Sequence, residues 1–139
     1  MLKIILALGL LIAGTSVASA QTKSPSDKRA HIVTRTYQLV YGGPEMCTRL
    51  ALPDAKEAVT AAERFKATYP ELMSLIEQSP HLDIARERNR KMVEDGVAYA
   101  AKYPQSDSDC KGTIGLLTYM IDDPAGQAQV RKTIENLKK

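Results

Sequence analysis

From Leu82 to Tyr103, apolar and small residues recur at helical spacing: Leu82, Ala85, Asn89, Met92, Val93, Gly96, Val97, Ala100 and Tyr103. Steps of three and four hold these side chains on one side of a 3.6-residue helix. Arg86, Glu87, Arg90, Lys91 and Glu94 fall on the opposite side. A helix with two such faces is stable only when its apolar stripe is covered, so the fold must supply other elements to cover it. Asn89 is the one polar member of the stripe. Ser79-Pro80 gives a start signal, a cap followed by proline at the first helical position. The helix is predicted to be the longest of the chain, ending near Lys102.

The other segments repeat the pattern in shorter form. A first helix is predicted from Ser26 or Asp27 to Tyr41, with Val33, Tyr37, Val40 and Tyr41 on one face beside Ile32 and Thr36. Its β-branched residues leave a strand as the competing reading. Gly42-Gly43-Pro44 is expected to end the element in either case. Cys47 then lies in a short segment, Glu45 to Leu52. Pro53-Asp54 opens the next helix, where Asp54 and Glu57 fit an acidic capping box. Val59, Ala62, Phe65 and Tyr69 form its expected buried stripe. Pro70 breaks it and starts a run with Leu72, Leu75 and Ile76 facing inward. After a polar loop from Pro104 to Ser108, Asp109 is expected to cap a helix carrying Cys110, Ile114, Leu117 and Ile121. Asp123-Pro124 repeats the start signal for a last helix with Val130, Ile134 and Leu137, and Lys138-Lys139 suit the negative end of its dipole. Phe65 and Tyr69-Pro70 recur in register as Tyr99 and Tyr103-Pro104, an offset of 34 residues that is also a helical-repeat period. No third copy follows, and two helices ending in an aromatic residue and a proline account for the match.

Phenylalanine occurs once, tryptophan never and tyrosine six times. Alanine, leucine and charged residues dominate, which favours helices packed through small and aliphatic side chains over a β-sandwich. The expected fold is all-α: a single small helical domain of five to six helices over residues 28–139, with one disulfide. A flexible leader, 21–27, precedes it.

Residues 1–20 read as a cleavable signal peptide. Lys3 supplies the positive start, Ile4 to Ala13 the apolar run, and Ala18-Ser19-Ala20 an A-x-A-type cleavage site before Gln21. The run is shorter than the roughly 20 apolar residues a spanning helix needs. Gln21 to Ser24 are polar at once, so no stable membrane anchor is expected after cleavage. Export, to the periplasm or the secreted space, takes Cys47 and Cys110 into an oxidising compartment. These are the only cysteines, so one intramolecular pairing is possible. Closing that loop stabilises the fold by roughly 4 kcal/mol in the chain-entropy model.

Few chemical constellations survive inspection. His31 and His81 lack the i, i+4 spacing of a zinc site. A Cys47–Cys110 bond would leave no thiolate nucleophile. Asp107-Ser108-Asp109-Cys110-Lys111-Gly112 begins like a calcium loop, but Lys111 stands where an oxygen ligand is needed and Thr118 where a bidentate glutamate is needed. Asp122 and Asp123 are adjacent and point apart on a helix, so they cannot face one substrate. No phosphate loop, nucleophile elbow, haem-attachment motif or C-x-x-C motif is present. Neither a cofactor nor a metal is expected, and catalysis is not. The formal net charge of +3, part of it Lys3, is too small to argue for nucleic acid.

What remains is a small exported helical protein that binds a partner, expected to be another protein, as an inhibitor, an immunity protein or an adaptor does. The most basic stretch, with Arg86, Arg90 and Lys91, offers the candidate docking residues. A solvated, salt-bridged face is the competing reading of the same residues. A groove lined by tyrosines is a further candidate site. A periplasmic stress chaperone or holdase is the alternative function, and a small enzyme with an unfamiliar site comes third.

Overall fold

The computed structural model describes residues 24–103 and 108–139. The signal-peptide reading of 1–20, the first three residues of the leader (21–23), and the loop at 104–107 with the calcium-like Asp107 lie outside the described residues.

Every element among the described residues is helical. Helix α1 spans Pro25–Tyr37, α2 Gly43–Arg49, α3 Ala55–Thr68, α4 Pro70–Glu77, α5 Leu82–Lys102, α6 Ser108–Asp122 and α7 Pro124–Lys138. A π-helical turn, Gln38–Gly42, joins α1 to α2. These three pieces run on as one helical body, which leaves six bodies among the described residues. The strand reading of the first segment is thereby excluded.

Gly42-Gly43-Pro44 does not stop the chain, contrary to the sequence expectation. Both glycines hold right-handed helical dihedrals, and Pro44 sits in the first turn of α2, where its missing N–H is no loss. The glycines serve close packing instead. A Cβ on Gly42 would lie 2.1 Å from Asn89 Oδ1, and one on Gly43 would lie 2.7 Å from Thr113. The stop comes later, at Ala51, whose φ of 51° is left-handed. There Leu52 N–H donates to Cys47 C=O and Ala51 N–H to Thr48 C=O, both at 3.1 Å, the paired bonds of a Schellman ending.

Several start signals act differently from their sequence reading. Ser24 caps α1, its Oγ accepting from Asp27 N–H at 3.1 Å, so the helix starts slightly earlier than predicted. The Asp54 side chain makes no capping bond. Ser79 Oγ accepts from His81 N–H at 3.1 Å in a turn before α5, and α5 starts at Leu82. Helix α6 already includes Asp109, starting at Ser108. Asp123 acts as read: its Oδ1 accepts from Ala125 N–H at 2.8 Å.

The α1–α2 body lies centrally. Helix α5 packs on one side of it, and α3, α6 and α7 gather on the other. Helix α4 closes the end of α7. The main core joins Val33, Val40, Ala61, Ala62, Phe65, Leu72, Met73, Ile76, Ala85, Leu117, Ile121 and Val130. On α3 the buried stripe runs through Ala58, Ala61, Ala62 and Phe65, and Val59, expected inside, is 41% exposed. Small residues face inward there because α3 lies against both α2 and α6; alanine permits that approach and valine would not. On α5 only Ala85, Asn89 and Val93 are buried, and Tyr103, the last member of the predicted stripe, is 54% exposed.

A second, smaller core surrounds the disulfide. Cys47 on α2 is bonded to Cys110 on α6, Cα atoms 5.8 Å apart, 63 positions apart in sequence. Ala58 is buried with them, and Leu52, Ala55 and Ile114 pack around. Side-chain bonds fasten the remaining seams. The Tyr69 hydroxyl donates to the Met120 carbonyl, Arg64 pairs with Asp122 at 3.0 Å, and Gln127 Nε2 donates to the Ile121 carbonyl at 2.8 Å across the α6–α7 turn.

Candidate binding cleft

The π turn is where the site begins. Gly43 N–H donates to Gln38 C=O, five residues back, instead of four. Such a turn admits one extra residue and rotates the side chains after it, which is why π turns recur at functional sites. Here Gly42 is turned toward α5, where the carboxamide of Asn89 fills the space left by its missing side chain. Asn89 is buried, and its Oδ1 has no hydrogen-bond partner among the described residues.

Beside the turn lies a cleft of about 430 Å³. That falls toward the lower end of the roughly 300–1,000 Å³ of small-ligand pockets. Phe65, Leu72 and Val130, all buried, lie deepest. Leu39, Met92 and Met120, half-buried, form the walls. Leu116, Arg35 and Gln129 are exposed at the mouth, with Thr36, Gln38, Thr113 and Thr133 also lining it. Among the described residues Arg35 is the one charged side chain of the lining. It makes no ion pair among the described residues. The cleft therefore offers an apolar depth continuous with the main core, a polar rim and one unpaired cation. Its side chains can hold and orient a bound group.

The residues singled out in the sequence lie elsewhere. Arg86, Arg90 and Lys91 are exposed on the outer face of α5. The Arg90 guanidinium is gripped from both sides along its own helix. It donates to Glu87 at 2.6 and 3.0 Å and to both Glu94 carboxylate oxygens at 2.8 and 2.9 Å. Hydrogen bonding and charge from Arg90 hold the Glu87 carboxyl below its ordinary range, and the two glutamates push the guanidinium above its own. Arg86 stands 3.7 Å from Asp83. This face is a ladder of internal ion pairs with Lys91 beside it.

The tyrosines do not line the cleft. Tyr37, Tyr41 and Tyr69 pack half-buried against the main core, while Tyr99 and Tyr103 stack at 4.7 Å between ring centroids on the exposed end of α5. Tyr119 reaches a wide, open groove with Asp54, Glu57, Lys111 and Asp123. His31 is exposed on α1, and His81 is half-buried in the turn before α5. Among the described residues no cluster of three or more histidine, cysteine, aspartate or glutamate side chains is arranged to hold a metal.

The cleft was not readable in advance. Its lining comes from four stretches far apart in sequence, and several members, Arg35, Leu116 and Gln129 among them, fall outside every predicted stripe. A single amphipathic pattern reports which face of a helix is covered, not where three covered faces fail to meet. No protein-family model, curated protein or solved structure matches this chain.

Proposed function

We propose that this chain is an exported helical binding protein whose working surface is the cleft beside the π turn. The observation that carries the proposal is the cleft's composition: an apolar depth reaching the core and a polar rim holding an unpaired guanidinium. Pockets of this kind bind by burying apolar surface and select by a few placed polar groups. The buried Cys47–Cys110 bond supports the exported reading, since such bonds persist in oxidising compartments. No helix among the described residues is long and apolar enough to cross a membrane.

The test is a titration of the purified, disulfide-bonded protein with a neutral fluorescent apolar probe such as N-phenyl-1-naphthylamine. Saturable binding at one site is expected. It should be lost in Leu116→Arg, which puts a charge at the mouth on an already exposed position. Mass analysis of the protein recovered from its native host tests the export reading, with Gln21 expected at the N-terminus.

A second reading rests on the far end of α5. Tyr99 is 57% exposed and Tyr103 54%, next to a shallow depression lined by Leu50, Leu52, Val97 and Ala100. Paired exposed aromatics are favoured anchors at protein interfaces. On this reading the protein partner docks at the end of α5, and Tyr99→Ser abolishes the complex while leaving probe binding in the cleft intact.

A further inference from the structure

We infer that the ligand of the cleft is an amphiphile with a single carboxylate head and a linear hydrocarbon tail, held tail-inward with its head on Arg35. The inference rests on the binding reading above and goes beyond it in naming the chemistry.

Three observations converge. The deep part of the cleft is hydrocarbon and aromatic: Phe65, Leu72 and Val130, walled by Leu39, Met92 and Met120. Nothing there can satisfy a buried polar group, so the part of the ligand that enters must itself be apolar. Methionine walls conform to a flexible tail more readily than branched side chains do. The second observation is charge. Among the described residues, Arg35 is the one charged member of the lining, it has no ion-pair partner, and no acid lies there to welcome a cationic head. The third is the rim. Gln38, Gln129 and Thr36 carry amide and hydroxyl donors that can complete the hydrogen bonding of a carboxylate whose first oxygen pairs with the guanidinium. A guanidinium and two amides suit a planar, singly charged head.

The experiment displaces the neutral probe from the purified protein with dodecanoate, dodecanol and dodecyltrimethylammonium, each below its critical micelle concentration. Dodecanoate is expected to bind about tenfold more tightly than dodecanol, the scale of one hydrogen bond to a charged group. The ammonium amphiphile is expected to be the weakest. In the series octanoate, decanoate, dodecanoate, each methylene tightens binding by up to about fourfold until the cleft is filled. Arg35→Gln should bring dodecanoate to the affinity of dodecanol, whereas Lys56→Gln, an equal loss of charge on an exposed position of α3, should keep the preference. Equal affinity for the three head groups, or a preference that survives Arg35→Gln, overturns the carboxylate proposal while the binding reading stands. Failure of the neutral probe to bind at all overturns both.

Discussion

Ala51 carries the one positive φ among the described non-glycine residues, 51°. Left-handed backbone costs an L-residue with a Cβ about 1 kcal/mol, and glycine escapes most of that cost. Ala51 is held there because the two Schellman bonds that end α2 also swing Leu52 into the disulfide core. Ala51→Gly should therefore raise stability by about 1 kcal/mol, read as a higher urea midpoint with unchanged slope. Tyr41 gives a second prediction at this scale. Burial pushes its phenol above the ordinary 10.0, with Lys66 opposing the shift, and Lys66 Nζ sits 5.2 Å over the ring. A raised pKa means that the neutral phenol is the form the fold prefers. Its contribution is complete below pH 10.0 and is lost as pH rises beyond it through the folded-state value. Stability should fall more steeply above that pH in the natural protein than in Tyr41→Phe, as measured by denaturation midpoints across the alkaline range.

Between elements, α7 approaches the backbone of α6 at Gly126. A Cβ there would lie 2.2 Å from the Tyr119 carbonyl oxygen and 2.9 Å from the Met120 Cα. These are backbone atoms of α6, fixed in its hydrogen-bond ladder, so they cannot yield as a side chain can. Gly126→Ala gains a little helix propensity and loses the α6–α7 packing. A net destabilisation of about 2–3 kcal/mol is expected. Because Val130 and Gln129 of α7 line the cleft, the same variant should weaken probe binding. Contrast this with Gly42, where the obstacle is the Asn89 side chain. Each of the two glycines makes room for a different neighbour, backbone at Gly126 and a side chain at Gly42.

For the molecule as a whole, the disulfide joins what secondary structure does not. It ties the end of the central helical body to the start of α6 across a 63-residue separation. Cys47 is 2% exposed and Cys110 0%, so reductant must wait for the fold to open. Reduction should be slow in native buffer and fast in urea. The double variant Cys47→Ala, Cys110→Ala should lose roughly 4 kcal/mol, a large part of the net stability of a domain this small. Calorimetry of oxidised, reduced and double-variant protein would measure it. The cleft draws its walls from α6 as well as the central body, so the variant should also bind the probe more weakly.

The all-α class, the inward stripes of α4, α6 and α7, the cysteine pair and the cap at Asp123 are legible along the chain. Each depends on residues close in the chain or on a pairing with a single solution. The stripe of α3 was misjudged by one position, because which of its small residues face inward depends on the two helices it touches. The passage through Gly42-Gly43 was also hidden, since it depends on Asn89 and Thr113 waiting in distant helices. Tertiary structure decided these points, and it decided the cleft. Arg35 is a routine surface residue in its own helix, and only the convergence of α6 and α7 beside the π turn places it over an apolar floor.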